Sequence, residues 1–133
     1  MSTNMKFILV DDDDLTNLLH DIILKETLGE EVDIEIFSDP EKGLAFIQNA
    51  YGKYSGHTVL FLDINMPRID GWEFLEAFES FDDKVKAQIS IYILSSSLDS
   101  RDSNKAAENK NVKGFFSKPL TNELILSIAG SEF

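Results

Sequence analysis

The 133-residue chain contains no cysteine. Disulfides and thiolate-bound metals are therefore excluded, and a reducing cytoplasm suits such a chain. No apolar run approaches the roughly 20 residues that cross a bilayer, so no membrane-spanning segment is expected. Near the start the only apolar piece is Phe7 to Val10, with no small-residue cleavage site behind it. It reads as a strand, not as a signal peptide. Cations are scarce too: 12 Lys and Arg stand against 24 Asp and Glu, a formal net charge of −12. A phosphate backbone is bound through Lys and Arg patches, so nucleic acid is not expected as a partner; proteins and cations are. Repeats, low-complexity tracts and linkers are also missing. The length fits a single domain over residues 1–133, with no room for an effector module.

What is present centres on one stretch, HTVLFLDINMPRIDG, from His57 to Gly71. Thr58 to Leu62 is an unbroken apolar run of β-formers, the pattern of a strand buried on both faces. Asp63 follows it directly, so its carboxylate should emerge at the carboxyl end of a central strand, the edge where open α/β sheets bind ligands. Taken alone, such an Asp equally reads as a strand breaker. Pro67 and Asp70-Gly71 mark a tight loop before a helix bearing Trp72, Phe74, Leu75 and Phe78.

Along the chain, strand and helix patterns alternate. Phe7 to Val10 stops at Asp11-Asp12-Asp13-Asp14; Leu15, Leu18, Leu19, Ile22 and Ile23 then recur at helical spacing, which predicts one buried face closed by Gly29. Val32, Ile34 and Ile36 alternate with acids, as in a strand near a sheet edge. Asp39-Pro40-Glu41 starts a helix with a stripe of Leu44, Ile47 and Tyr51. The helix from Trp72 to about Phe81 leads to a fourth strand, Ile89 to Leu94, ending at Ser95-Ser96-Ser97. From Asp99 to Asn111 only Ala106 and Ala107 are apolar, so a helix there is expected to be loosely held. Gly114-Phe115-Phe116 predicts a fifth strand before Lys118-Pro119, and Leu124, Ile125 and Ile128 a last helix stopped by Gly130. Five βα units with near-continuous apolar strands imply an α/β fold with one parallel sheet.

Asp11, Asp12, Asp63, Ser95 and Lys118 all fall at strand carboxyl ends. If right-handed crossovers order the strands 2-1-3-4-5, the first and third are neighbours and the three Asp share one pocket. Crowded carboxylates call for a cation, and few oxygen ligands with room for water favour Mg²⁺. A carboxylate nucleophile, a metal, a Lys and a hydroxyl are the parts of phosphoryl transfer to Asp. Asp13 and Asp14 read instead as a solvated helix start, His20 and His57 as exposed or structural, and Trp72 as helix packing.

The motifs VDDDD (Val10–Asp14), FLDINMPRIDG (Phe61–Gly71), ILSSS (Ile93–Ser97) and FFSKP (Phe115–Pro119), in this order and spacing, resemble the receiver domain of two-component response regulators. The resemblance implies a flavodoxin-like (βα)5 fold. It implies that Asp63 accepts phosphate from a histidine kinase, a phosphotransfer protein or a small donor, in a cytoplasmic signalling or phosphorelay role that is not an enzyme's. Asp11, Asp12, Asp63 and the Asn65 carbonyl would hold Mg²⁺, with Ser95 and Lys118 on the phosphoryl oxygens and a cis Lys118-Pro119 bond. Asn65 and Ser97 would tune the phosphate's lifetime. Phe115, where relatives often carry Tyr, would be the switch aromatic or a plain core residue. The surface of the fourth helix, fifth strand and fifth helix would meet a downstream protein. Two other readings stand beside it: a small phosphatase of the haloacid dehalogenase type using Asp11 and Asp13, which leaves Asp63 unused, and a pseudo-receiver that binds partners without phosphate.

Overall fold

The apolar runs that lack alternation are the ones the fold buries most deeply. The computed structural model describes residues 5–51 and 56–133; the reading of the first residues as free of a leader falls in part on residues 1–4, outside them. Strands β1 (Lys6–Val10), β2 (Asp33–Phe37), β3 (Thr58–Asp63), β4 (Ile89–Ser95) and β5 (Val112–Ser117) form one sheet in the order β2-β1-β3-β4-β5. Every neighbouring pair is parallel, so the expected doubly wound, flavodoxin-like topology is the observed one. The connections carry helices α1 (Asp14–Leu28), α2 (Pro40–Ala50), α3 (Gly71–Glu79), α4 (Asp83–Gln88), α5 (Ser100–Glu108) and α6 (Asn122–Glu132).

All residues of β3 and β4 are buried because helices cover both faces. The two-residue period of a strand sorts their side chains. Ile8, Val10, Leu60, Leu62, Ile91 and Ile93 pack with Ile47 of α2 and Phe74, Leu75 and Phe78 of α3. Phe7, Leu9, Val59, Phe61 and Leu94 pack on the other side with Leu24 of α1 and Ile125 and Ile128 of α6. Full burial of each such side chain contributes about 1.5–3 kcal/mol, so β1, β3 and β4 are a rigid base for whatever stands at their ends.

Helix starts follow the sequence signals. Asp39 caps α2 through the Glu41 amide at 3.0 Å, and Asp70 with Glu73 forms a reciprocal capping box on α3 at 2.9 and 3.0 Å. Gly29 closes α1 at φ 106°, a conformation that favours glycine. As expected, α5 is thinly anchored, with Ala106 its one buried residue.

Four expectations need correction. Most of the apolar stripe of α1 does not face the core: Leu15, Leu18, Leu19 and Ile22 are 75%, 54%, 44% and 45% exposed, and only Ile23 packs against it. The inward positions are Asn17, His20 and Leu24, because the two polar residues have partners beneath the strand ends. Ile36 of edge strand β2 is also exposed. Residues 83–88, to which no element was assigned, form the short helix α4, so the surface expected on the fourth helix, fifth strand and fifth helix is that of α5, β5 and α6. Finally, α6 runs through Gly130 to Glu132. Its last turn is held because Glu132 accepts hydrogen bonds from Ser90 at 2.8 Å and Tyr92 at 2.6 Å and lies 2.7 Å from His57 Nε2. His57 is thus half-buried and structural.

Candidate functional site

Parallel register brings the strand ends level. Val10 stands opposite Leu62, Asp63 opposite Leu94, and Ser95 opposite Ser117. The next residues along β1 and β5 are therefore delivered to the same rim as Asp63. Lys118 Nζ lies 2.6 Å from Asp11 Oδ2 and 3.3 Å from Asp63 Oδ1. Asp11 and Asp63 are each 4% exposed, while Asp12 is exposed beside them.

Asp11, Asp12 and Asp63 each offer a carboxylate oxygen, all within 4.8 Å of one another. Unit charges at that spacing repel by roughly 3–4 kcal/mol at an intermediate effective dielectric. Lys118 offsets part of this. Burial, joined by the neighbouring Asp11, pushes the Asp63 carboxyl up to about 6, against the pull of the Asn65 amide and Lys118. For Lys118 burial acts to lower the pKa, but Asp11 and Asp63 outweigh it and hold the amine more firmly charged than usual. The donor set fits a small hard cation: three carboxylates, one open to solvent, with no nitrogen or sulfur ligand.

The loop after β3 is held tightly. The Asn65 amide donates to Asp63 Oδ1 at 3.1 Å, and the Gly71 amide to Ile64 O at 3.0 Å. A Cβ on Gly71 would stand 2.6 Å from Ile64 Cα and 3.0 Å from Asp63 O. Only glycine lets α3 start this close to the strand end. Arg68 ties the loop to the start of α2 through Asp39 at 3.2 Å and Glu41 at 2.6 Å.

Ser95 is at the same rim but turned inward. It is fully buried, its hydroxyl donates to Ser97 O at 2.6 Å, and its carbonyl accepts from the Lys118 amide at 2.8 Å. The Lys118-Pro119 bond is cis. Phe115 is half-buried against the core, beside a cavity of about 290 Å³ also lined by Ser103, Ala106 and Ala107. Asp13 caps α1 through the Leu15 amide at 3.0 Å and Thr16 at 2.9 Å, the solvated helix-start role expected of it.

Two residues lie under the site: Asn17, which no pattern singled out, and His20, read as exposed or structural and here buried and structural. Asn17 Nδ2 donates to Asp11 O at 2.8 Å, and His20 Nε2 accepts from the Leu120 amide at 3.3 Å. Burial lowers the His20 pKa, although Asp11 opposes it, so the ring serves as a neutral acceptor. The available signal was their spacing with Leu24, at i, i+3 and i+7, which hydropathy ignores.

Known proteins share this fold. Residues 7–129 match the response regulator receiver domain. The chain is 31% identical to the transcriptional regulatory protein FlgR of Helicobacter pylori across 92% of its own length but 28% of that protein, so it spans less than a third of this relative. A two-component response regulator from Cytophaga hutchinsonii superimposes with a TM-score of 0.84 at 30% identity, covering 98% of this chain and 97% of that one. A response regulator receiver protein from Dyadobacter fermentans gives 0.88 at 26% identity, covering 97% and 98%. The receiver match takes in all of the sheet but Lys6 and every residue of the acidic rim, and the chain belongs to the response regulator receiver domain family, in which an aspartate carries phosphate.

Proposed function

We propose that Asp63 is the phosphoacceptor of this receiver. The observation that supports it most directly is a carboxylate buried to 4% exposure at the end of the central strand, bridged by Lys118 and adjoined by two further carboxylates. An oxygen of Asp63 attacks the donor's phosphorus. The new P–O bond forms as the donor's P–N bond breaks, the electron pair leaving with an imidazole that takes up a proton. Asp11, Asp12, Asp63 and the Asn65 carbonyl would hold Mg²⁺, and when bound the ion supplies positive charge against the carboxylates and the incoming phosphoryl oxygens. Lys118 already sits between Asp11 and Asp63, so a small movement of a flexible amine transfers it to those oxygens. Ser95 must exchange Ser97 O for a phosphoryl oxygen, which loosens the turn before α5 and offers Phe115 the adjacent cavity. Asn65 and Ser97 flank the phosphoryl position and set its lifetime. In this reading the receiver is a cytoplasmic switch. It assists its own phosphorylation and dephosphorylation, and it signals through the α5–β5–α6 face to a downstream protein.

The donor is a histidine kinase or phosphotransfer protein. Leu15, Leu18, Leu19 and Ile22 form an exposed apolar stripe on α1, which begins two residues after Asp12. A phosphohistidine carrier must rest on this rim to reach Asp63 in line, and such a stripe suits it.

Incubation with acetyl phosphate and Mg²⁺ followed by intact mass measurement tests the site. One phosphoryl adduct, absent in Asp63→Asn, is expected; an adduct that survives Asp63→Asn overturns the assignment, and no adduct at all points to a binding-only module. Leu18→Asp with Leu19→Asp should slow transfer from a protein donor at least tenfold and leave labelling by acetyl phosphate unchanged.

A further inference from the structure

Away from the acidic rim, α3 and α5 enclose an open groove of about 760 Å³. Its ionic lining is lopsided. Asp70, Glu73, Glu76, Glu79 and Glu108 contribute five carboxylates, against two amines from Lys105 and Lys110. Both amines are occupied. Lys110 pairs with Glu79 at 3.3 Å, and Lys105 Nζ lies over Trp72 at 4.8 Å from the ring centre. Asp70 and Glu73 are engaged in the α3 capping box, and Glu79 is shared with Lys86 and Asn111. Glu76 and Glu108 are exposed and make no ion pair or hydrogen bond with a described residue.

Lys105 over Trp72 is an internal sample of what this groove holds: a cation on an indole face, with carboxylates around it. A lysine is a weak occupant there, because its compact ammonium is strongly hydrated and cannot lie flat. A guanidinium stacks on the ring and can reach a flanking carboxylate with two parallel N–H donors. We propose that the α3–α5 groove docks an arginine-bearing helical segment of a partner protein. Its guanidinium displaces Lys105 from Trp72, and Glu76 and Glu108 steer and hold its positive charge. A second copy of this chain is a poor occupant, since its net charge of −12 opposes self-association.

The proposal does not depend on phosphate at Asp63, so its test uses both the unmodified protein and Asp63→Asn. Trp72 is the only tryptophan, and its emission reports on the groove alone. The probe is a blocked, alanine-rich helical peptide with arginines at i and i+4 and a leucine at i+3, compared with versions carrying Lys or Glu in place of Arg. Saturable quenching by the Arg peptide is expected in both proteins. The Lys peptide should bind several-fold more weakly and the Glu peptide not at all. Glu76→Lys with Glu108→Lys should weaken the Arg peptide at least tenfold, with far-UV circular dichroism confirming the fold, whereas Lys105→Ala should tighten it. The proposal is overturned by no saturable change, by equal binding of Arg and Lys peptides, or by unchanged affinity in the double variant. A Trp72 signal driven by protein concentration alone also overturns it and assigns the groove to a second copy.

Discussion

At the scale of single residues, the site is a contest between burial and charge centred on Asp63. Burial and Asp11 push its carboxyl up to about 6 from 3.8, while the Asn65 amide and Lys118 pull the other way. Between those two values the folded protein keeps a proton that the unfolded chain has released. Stability therefore falls as pH rises through about 6, and at neutral pH the ionised Asp63 works against the fold. Replacing it with a neutral isostere removes that opposition. Without added metal, Asp63→Asn should exceed the parent in stability by on the order of 1–2 kcal/mol near pH 8, with the difference vanishing near pH 4. Urea denaturation across that range checks it; a gap that does not change with pH excludes Asp63 as the cause. Asp11 and Asp63 were legible in the sequence because each follows an apolar run directly, and Lys118 because only Ser117 parts it from one; a strand end has a defined position in this fold. Asn17 was not, because a polar residue on a helix gives no periodic signal until its partner is known, and His20 was read only as exposed or structural until the Leu120 amide decided between the two.

At the scale of elements, strands were read more accurately than helix faces, and α1 shows why. A strand buried on both faces leaves its composition no alternative, but an amphipathic stripe says only that a face is apolar, not that this protein covers it. The stripe from Leu15 to Ile22 is exposed, and the helix packs by Leu24 with Asn17 and His20 beside it. Glycines mislead in a similar way. Gly71 and Gly130 look alike in sequence, each beside a helix end, yet a Cβ at Gly71 would meet Ile64 Cα at 2.6 Å while one at Gly130 meets nothing within 4 Å. Gly71→Ala is therefore expected to destabilise by about 1–3 kcal/mol, as overpacking does, and to slow acetyl phosphate labelling by shifting the loop that carries Asn65. Gly130→Ala, inside α6, should stabilise by up to about 1 kcal/mol because alanine is the better helix former. Thermal unfolding of the pair, with labelling rates, separates a glycine required by packing from one that only lowers helix propensity; similar shifts in both would refute the distinction.

For the whole molecule, a net charge of −12 spread over 133 residues opposes the compact state through self-repulsion. Much of that charge is solvated and screened by ordinary salt. The carboxylates of Asp11, Asp12 and Asp63, within 4.8 Å of one another and two of them buried, are not reached by diffuse counterions in the same way. A divalent ion seated among them binds the folded chain alone, since the unfolded chain scatters the three ligands. By linkage, Mg²⁺ at a hundred times its dissociation constant should raise stability by about 2.7 kcal/mol, and chelator should reverse the gain. NaCl at matched ionic strength should reproduce only the screening part. Asp12→Ala keeps the buried pair with Lys118 and removes the one ligand open to solvent, so it should lose the Mg²⁺ response and retain the NaCl response. Thermal melts in the four conditions decide the matter: if NaCl matches Mg²⁺, the stabilisation is a property of the acidic surface, and if the excess for Mg²⁺ disappears with Asp12, it belongs to the rim where β1 and β3 end.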